Sequence, residues 1–262
     1  MAAKTGRRKA VQKQNREIQI VENKEAVSRA AAETLVSLAL KKLASKESIA
    51  VALSGGSTPR SMFALLVNDA ALCSRMPWDR THFFCGDERH VAPDHSDSNY
   101  RMANEALLSR VPVPAGNIHR IRAENPDANK AAEDYEQELR GFFKLDPGQL
   151  PAFDCVFLGM GPDGHTASLF PGTKALHEHE RLVVSNWVDK FQSYRITMTA
   201  PVLNNADIVI FHLTGEEKAE PLRVVLEGQK QTDLFPSQLI EPTHGKLIWL
   251  VDQAAAGQLR GK

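Results

Sequence analysis

The residues best suited to chemistry in this chain sit in one glycine-rich turn. The stretch FLGMGPDGHTASLFPG, Phe157 to Gly172, carries Gly159-x-Gly161-x-x-Gly164 directly after the apolar run FDCVF, with Asp163 inside the turn and His165 just past it. The glycine spacing is that of a dinucleotide-binding turn. The other residues argue against that use. A pyrophosphate needs free N–H groups and no negative charge, whereas Pro162 removes a donor and Asp163 adds a carboxylate. The acid expected about twenty positions later at a strand end is not there, since Asp189 comes late and in a loop-like segment. No nucleotide cofactor is expected. What Asp163 and His165 do offer is an acid–base pair, because imidazole titrates near neutral pH and suits a general base. The other histidines, His90, His119 and His244 among them, read as structural or surface groups. His177-x-His179 lacks a third ligand nearby, so no metal is expected.

A second candidate is SGGSTP, Ser54 to Pro59, which follows one apolar run and opens a helical segment. Gly55 and Gly56 let backbone N–H groups turn toward a ligand, Ser57 or Thr58 can cap the helix, and Pro59 fits its first turn. The Gly-Lys-[Ser/Thr] ending of a Walker loop is absent. A phosphate cradle and a plain capped turn fit this stretch equally well. Three cations stand at comparable places: Arg89, Arg195 and Lys218. Arg suits bidentate phosphate contacts and Lys a point charge. Each alone is more often a solvated surface charge; their shared position near strand ends is what singles them out.

The elements that must hold these loops follow from the apolar pattern. Val27, Ala31, Leu35 and Leu38 recur at helical spacing within residues 24–45. RSMFALLVNDA, DSNYRMANEALL (capped by Asp97 or Ser98) and NPDANKAAEDYEQELRGFF are further helical segments. SIAVAL, THFFC, FDCVFLG, ADIVIFHLTG and KLIWLVD read as buried strands, and RLVVSN and RITMT as shorter ones. Continuously apolar strands alternating with helices indicate an α/β fold, a mostly parallel sheet with helices on both faces. Ligands in such folds sit at the carboxyl ends of strands, where all of the loops above fall. Ser168 reads as helix interior, and Pro221 as a residue that begins or kinks its helix.

Composition bounds the rest. With 262 residues, 42% hydrophobic and 24% charged, the chain can bury a sizeable core as one domain, residues 17–262, after a basic, disordered head at residues 1–16. That head carries Lys4, Arg7, Arg8, Lys9, Lys13 and Arg16 and no acid, so the remainder is net acidic although the formal charge of the whole is +0. Any anionic ligand must therefore be held by local groups. The head has no aromatic interleaving and no apolar face, so neither nucleic acid nor membrane binding is expected of it. The 3 cysteines lie apart without a CxxC pair, which fits buried free thiols and a cytoplasmic location. No obligatory protein partner is indicated.

ALSGGSTPRSMFALL, FFCGDERHVAPDHSDSNYRMANEALL, FLGMGPDGHTASLFPG, RITMTAPVLNNADIVIFHLTGEEKA and WLVDQAAAGQL, in this order, resemble the blocks of the 6-phosphogluconolactonase family. The resemblance implies a modified Rossmann-like fold shared with glucosamine-6-phosphate deaminases and ribose-5-phosphate isomerases. It implies hydrolysis of 6-phosphoglucono-δ-lactone to 6-phosphogluconate without metal or nucleotide. By position, His165 would activate water and Asp163 would orient it or assist proton movement. Ser54, Gly55, Gly56, Ser57 and Thr58 would cradle the phosphate with Arg195 and Lys218, while Arg89 would bind substrate or hold Asp87 and Glu88. Two rival readings use the same phosphate loop. A deaminase or isomerase would want an acid soon after the Asp-Gly-His turn, but none occurs before Glu178. A non-catalytic sugar-phosphate sensor would dispense with Asp163 and His165.

Overall fold

A computed structural model describes residues 15–260. In chain order its elements are β1 (Arg16–Val21), α1 (Lys24–Lys42), β2 (Ile49–Leu53), α2 (Ser57–Asn68), α3 (Ala70–Arg75), β3 (Thr81–Cys85), β4 (Asp87–Arg89), α4 (Asn99–Ala103), β5 (Ile118–His119), α5 (Ala128–Phe143), β6 (Cys155–Leu158), β7 (Val183–Val188), β8 (Ser193–Met198), α6 (Ala200–Asn204), β9 (Ile208–Leu213), α7 (Ala219–Glu227) and β10 (Lys246–Asp252). Seven strands form one sheet in the order β1-β10-β9-β6-β2-β3-β5, every pairing parallel.

Side chains along a strand alternate between faces, and here both sets are apolar. Ala50, Ala52, Val156, Leu158, Val209 and Phe211 pack on one side with Ala131, Tyr135 and Leu139 of α5. Ile49, Val51, Leu53, Cys155, Phe157 and Ile210 pack on the other with Val27, Ala31 and Leu35 of α1. A sheet buried on both faces needs parallel strands with helical crossovers, which is the expected fold class. Among the described residues no helix is long and apolar enough to cross a membrane. Cys85 and Cys155 are buried free thiols, while Cys73 is partly exposed.

Helices α1, α3, α4 and α5 begin where the sequence supplies acceptors. The Asn23 side chain accepts from Ala26 N–H at the start of α1, and Asp127 from Asn129 and Lys130 at the start of α5. Of the two candidates at α4 the cap is Ser98, whose Oγ accepts from Arg101 N–H at 3.0 Å. At α2 the cap is Gly56, with no side-chain bond, so neither Ser57 nor Thr58 performs the expected capping. Pro221 is the third residue of α7, where a first-turn N–H has no helical partner to lose, so it begins the helix without kinking it.

Three features depart from the sequence expectation. RLVVSN and RITMT do not join the parallel sheet; β7 and β8 form an antiparallel hairpin that pairs with β4 in a second sheet, β4-β8-β7. Gly86 joins the two sheets, donating to Leu53 carbonyl at 2.9 Å and accepting from Met198 N–H at 3.0 Å. Arg16, assigned above to the basic head, opens the edge strand β1, paired with β10; residues 1–14 of that head lie outside the described residues. Ser168 is not in a helix. Ala167 before it adopts the left-handed conformation at φ 47, which ends helical propagation, and Thr166–Leu169 form a tight turn closed by a bridge.

Candidate active site

Strands β9, β6 and β2 are neighbours at the middle of the sheet. Connections run outward from β2 through β3 to β5 on one side, and from β6 through β9 to β10 on the other, so the β2–β6 boundary is the topological switch point where ligands bind. The loops leaving these three strands converge there. One cleft is lined by Ser54, Gly55 and Gly56 after β2, by Gly159 to Pro162 and His165 after β6, and by Lys218 after β9, with Asp87, Arg89 and Asn99 from the second sheet's approach.

The turn after β6 holds His165 by its backbone and by its neighbours. Gly161 N–H donates to the His165 carbonyl at 2.9 Å, and Gly164 N–H to the Gly161 carbonyl at 3.0 Å. A Cβ on Gly161 would run into the imidazole of His165 and the carboxylate of Asp163, so only glycine lets the pair fold back over the turn. Thr166 Oγ1 donates to the Gly159 carbonyl and Ser237 Oγ to that of Gly164, bracing the turn from both ends. The imidazole stacks on Phe170 with centroids 4.0 Å apart.

His165 Nδ1 lies 2.5 Å from Asp163 Oδ1. An ionised carboxylate can only accept, so Nδ1 carries the proton and Nε2 is the basic nitrogen. Burial works against the charge of Asp163, but the hydrogen bond and charge of His165, its backbone N–H and Lys190 outweigh it and hold the carboxyl well below the usual range. Lys190, whose Nζ is 3.3 Å from Asp163 Oδ2, comes from the β7–β8 hairpin. Nothing in the sequence pattern pointed to it, because the contact spans two loops far apart in the chain.

Arg89 and Lys218 face the same cleft as His165. Arg195 is the register partner of Arg89 across β4 and β8; its guanidinium lies over the Phe191 ring and donates to Ser193 Oγ. The ion pairs beside the cleft are those of His165 and Lys190 with Asp163. Arg89, Arg195 and Lys218 have no carboxylate at ion-pair distance among the described residues. Burial, then the charge of Arg89, pulls the Arg195 guanidinium below its ordinary pKa. Ser57 stands exposed at the start of α2, and Thr58 is buried with its Oγ1 on Thr214 Oγ1 at 3.0 Å. Neither residue lines the cleft, whose lining from this loop ends at Gly56.

Arg89 does not hold Asp87 or Glu88 with its guanidinium, which donates instead to the Asp97 carbonyl. Asp87 receives Ser168 Oγ at 2.6 Å and Asn99 Nδ2 at 3.3 Å. Glu88 receives Ser98 Oγ and the backbone N–H groups of Arg89, Asn99 and Tyr100. Burial raises its pKa against those hydrogen bonds. Asn99 also fills the space a Cβ on Gly55 would need, which couples the second-sheet approach to the loop after β2. Among the described residues no group of three or more metal-ligating side chains exists; His177 pairs with Asp233.

The switch-point cleft of this α/β fold thus brings together an Asp–His pair and two cations, Arg89 and Lys218, that have no ion-pair partner among the described residues. Residues 22–249 match the family described as glucosamine-6-phosphate isomerases/6-phosphogluconolactonase, and the chain belongs to that family. The 6-phosphogluconolactonase of Nostoc sp. is 44% identical over 209 residues, 80% of this chain and 84% of that protein. The Homo sapiens 6-phosphogluconolactonase is 44% identical over 211 residues, 79% of each. The structure of 6-phosphogluconolactonase from Trypanosoma brucei superposes with a TM-score of 0.84 at 27% identity, covering 94% of this chain and 100% of that one.

Proposed function

We propose that this protein hydrolyses 6-phosphoglucono-δ-lactone to 6-phosphogluconate in the oxidative pentose phosphate pathway, in the cytoplasm and without an obligatory protein partner. The observation that carries the chemistry is the 2.5 Å contact of His165 with Asp163, set in a cleft shared with Arg89 and Lys218. In this reading His165 Nε2 takes a proton as water adds to the lactone carbonyl. Asp163 keeps Nδ1 protonated and balances the imidazolium that forms. The tetrahedral intermediate collapses with cleavage of the bond to the ring oxygen, and the imidazolium returns its proton to that oxygen. Such base assistance contributes about 10²–10⁴-fold. The loop Ser54–Gly56, the first N–H groups of α2 at Ser57 and Thr58, and Lys218 hold the phosphate, with Arg195 behind Arg89 adding positive potential. Binding energy at the phosphate then orients the lactone carbon against His165.

The related ring-opening chemistry of a deaminase would use a carboxylate soon after the turn. Glu178, the first acid after His165, is committed to the backbone N–H groups of Glu180 and Arg181. The deciding assay follows freshly generated 6-phosphoglucono-δ-lactone with and without the purified protein, in the presence of a chelator. Loss of lactone well above the spontaneous rate, unchanged by chelator, is the expected result. No acceleration would transfer the site to a sugar-phosphate sensor or isomerase.

A further inference from the structure

His212, on β9, is 1% exposed and is, among the described residues, the one buried histidine. Its Nε2 lies 3.3 Å from Ser54 Oγ, while its Nδ1 has no partner among the described residues. The ring packs on Phe157, with centroids 5.4 Å apart. Two residues on, just past the end of β9, Thr214 makes the contact with Thr58 described above. The end of β9 thus holds both the loop after β2 and the first turn of α2. The Thr pair can be read as packing. The histidine contact has a further consequence, because an imidazole has two tautomers and only one suits this site.

Burial drives the imidazole pKa down to about 3, so the ring is neutral at physiological pH and carries one proton. On Nδ1 that proton would be a buried donor with no acceptor, an arrangement native structures rarely tolerate. On Nε2 it has Ser54 Oγ as acceptor, and only a lone pair is left unused. The Nε2–H tautomer is the consistent one. Ser54 Oγ then accepts from inside the protein, so its own hydrogen must point elsewhere. Among the described residues the hydroxyl has no other partner, and Ser54 lines the cleft. A hydroxyl fixed in this way is a donor toward whatever anion occupies the loop.

We propose that His212 is a positioning residue for the substrate's phosphate: as the Nε2–H tautomer it fixes the Ser54 hydroxyl as a donor into the cleft. The proposal rests on the reading of Ser54–Gly56 as the phosphate site. It separates two effects that sequence alone merges. Ser54 supplies the contact, and His212 supplies its direction. A serine hydroxyl free to rotate would be donor or acceptor with no bias, and would lose part of its preference for a dianion over a neutral sugar hydroxyl.

The test uses the full chain and inorganic phosphate as probe, with the lactone for kinetics. Histidine-selective ¹⁵N NMR of the wild type is expected to show His212 protonated at Nε2; an Nδ1–H tautomer overturns the proposal. His212→Phe is expected to weaken phosphate binding and raise KM for the lactone by about 10-fold, the size of a lost charge-assisted hydrogen bond. The pH dependence of kcat is expected to keep its shape. His212→Gln, which keeps an N–H near the same place, is expected to restore most of the affinity. In a Ser54→Ala background His212→Phe is expected to add nothing further. If His212→Phe folds and binds phosphate as well as the wild type, or if His212→Gln is as impaired as His212→Phe, the positioning role is refuted. Should His212→Phe fail to fold, the tautomer and the comparison of His212→Gln with Ser54→Ala decide. Lactone turnover by a wild type that does not bind phosphate overturns the reading of the Ser54 loop. Phosphate binding by a wild type with Nδ1–H His212 overturns the positioning role of His212 and leaves the reading of the Ser54 loop standing.

Discussion

Arg89 and Arg195 are register partners on the antiparallel strands β4 and β8, so two guanidinium groups start from the same face of the small sheet. Like charges directly opposite one another cost a few tenths to about 1 kcal/mol. An anion in the cleft reverses the sign of that arrangement. Arg195→Gln is therefore expected to leave the ligand-free protein as stable as the wild type or slightly more so. It is also expected to reduce the rise in Tm produced by 6-phosphogluconate. Thermal melts with and without that product measure both. An unchanged ligand-induced shift would remove Arg195 from the anion's surroundings.

The Asp163–His165 pair predicts two graded losses. His165→Ala removes the proposed base and is expected to lower kcat by about 10²–10⁴-fold with little change in KM. Asp163→Asn keeps an acceptor for the Nδ1 proton but removes the charge that balances the imidazolium, so its kcat is expected to fall less. Steady-state kinetics corrected for spontaneous hydrolysis check this order. Near-normal turnover by His165→Ala would mean that another group takes the proton.

The close approach of Gly161 to His165 gives a test of geometry rather than chemistry. Gly161→Ala puts a methyl group where the imidazole and the Asp163 carboxylate now lie, so the pair must swing away from the cleft. Misplacement by about 1 Å can cost on the order of 10²-fold in rate. The variant is expected to lose kcat while phosphate binding at the Ser54 loop persists. Parallel loss of both would show that the substitution disorganises the whole cleft.

Local chemistry explains which parts of this molecule were legible in its sequence. The strands of the large sheet are apolar on both faces, and a short apolar run between helical stretches has few other interpretations. The turn after β6 stood out because Pro162, Asp163 and His165 are unusual companions for its glycine spacing, and the structure brings Asp163 and His165 into contact. By contrast β1 has alternating exposure at the sheet edge and a basic residue at its start, so it merged with the head of the chain. The β7–β8 hairpin reads as two ordinary strands, and its assignment to a separate sheet depends on β4, only three residues long. Lys190 on Asp163, Asn99 against Gly55 and His212 on Ser54 are contacts between distant segments. No spacing rule reaches them. Ser168 misled because its flanks carry helix-forming residues, and the left-handed Ala167 that prevents a helix leaves no mark on composition.

Buried His212 also makes stability depend on pH in a definite direction. In the unfolded chain the ring takes up a proton below about pH 6.5, whereas burial holds it neutral in the folded protein down to about pH 3. Between those values the unfolded state binds the extra proton, so this residue's contribution is complete above the upper value and is lost progressively as pH falls toward the lower one. The slope from one such group is about 1.4 kcal/mol per pH unit. His82 acts in the same direction, its pKa lowered by burial and then by His119. The difference between wild type and His212→Gln isolates the one group, because glutamine does not titrate. Urea unfolding at about pH 7 and about pH 5 is expected to show the wild type losing about 2 kcal/mol more than His212→Gln over that interval. Equal losses would mean that the folded protein admits the proton at His212, through water or a local opening at the end of β9.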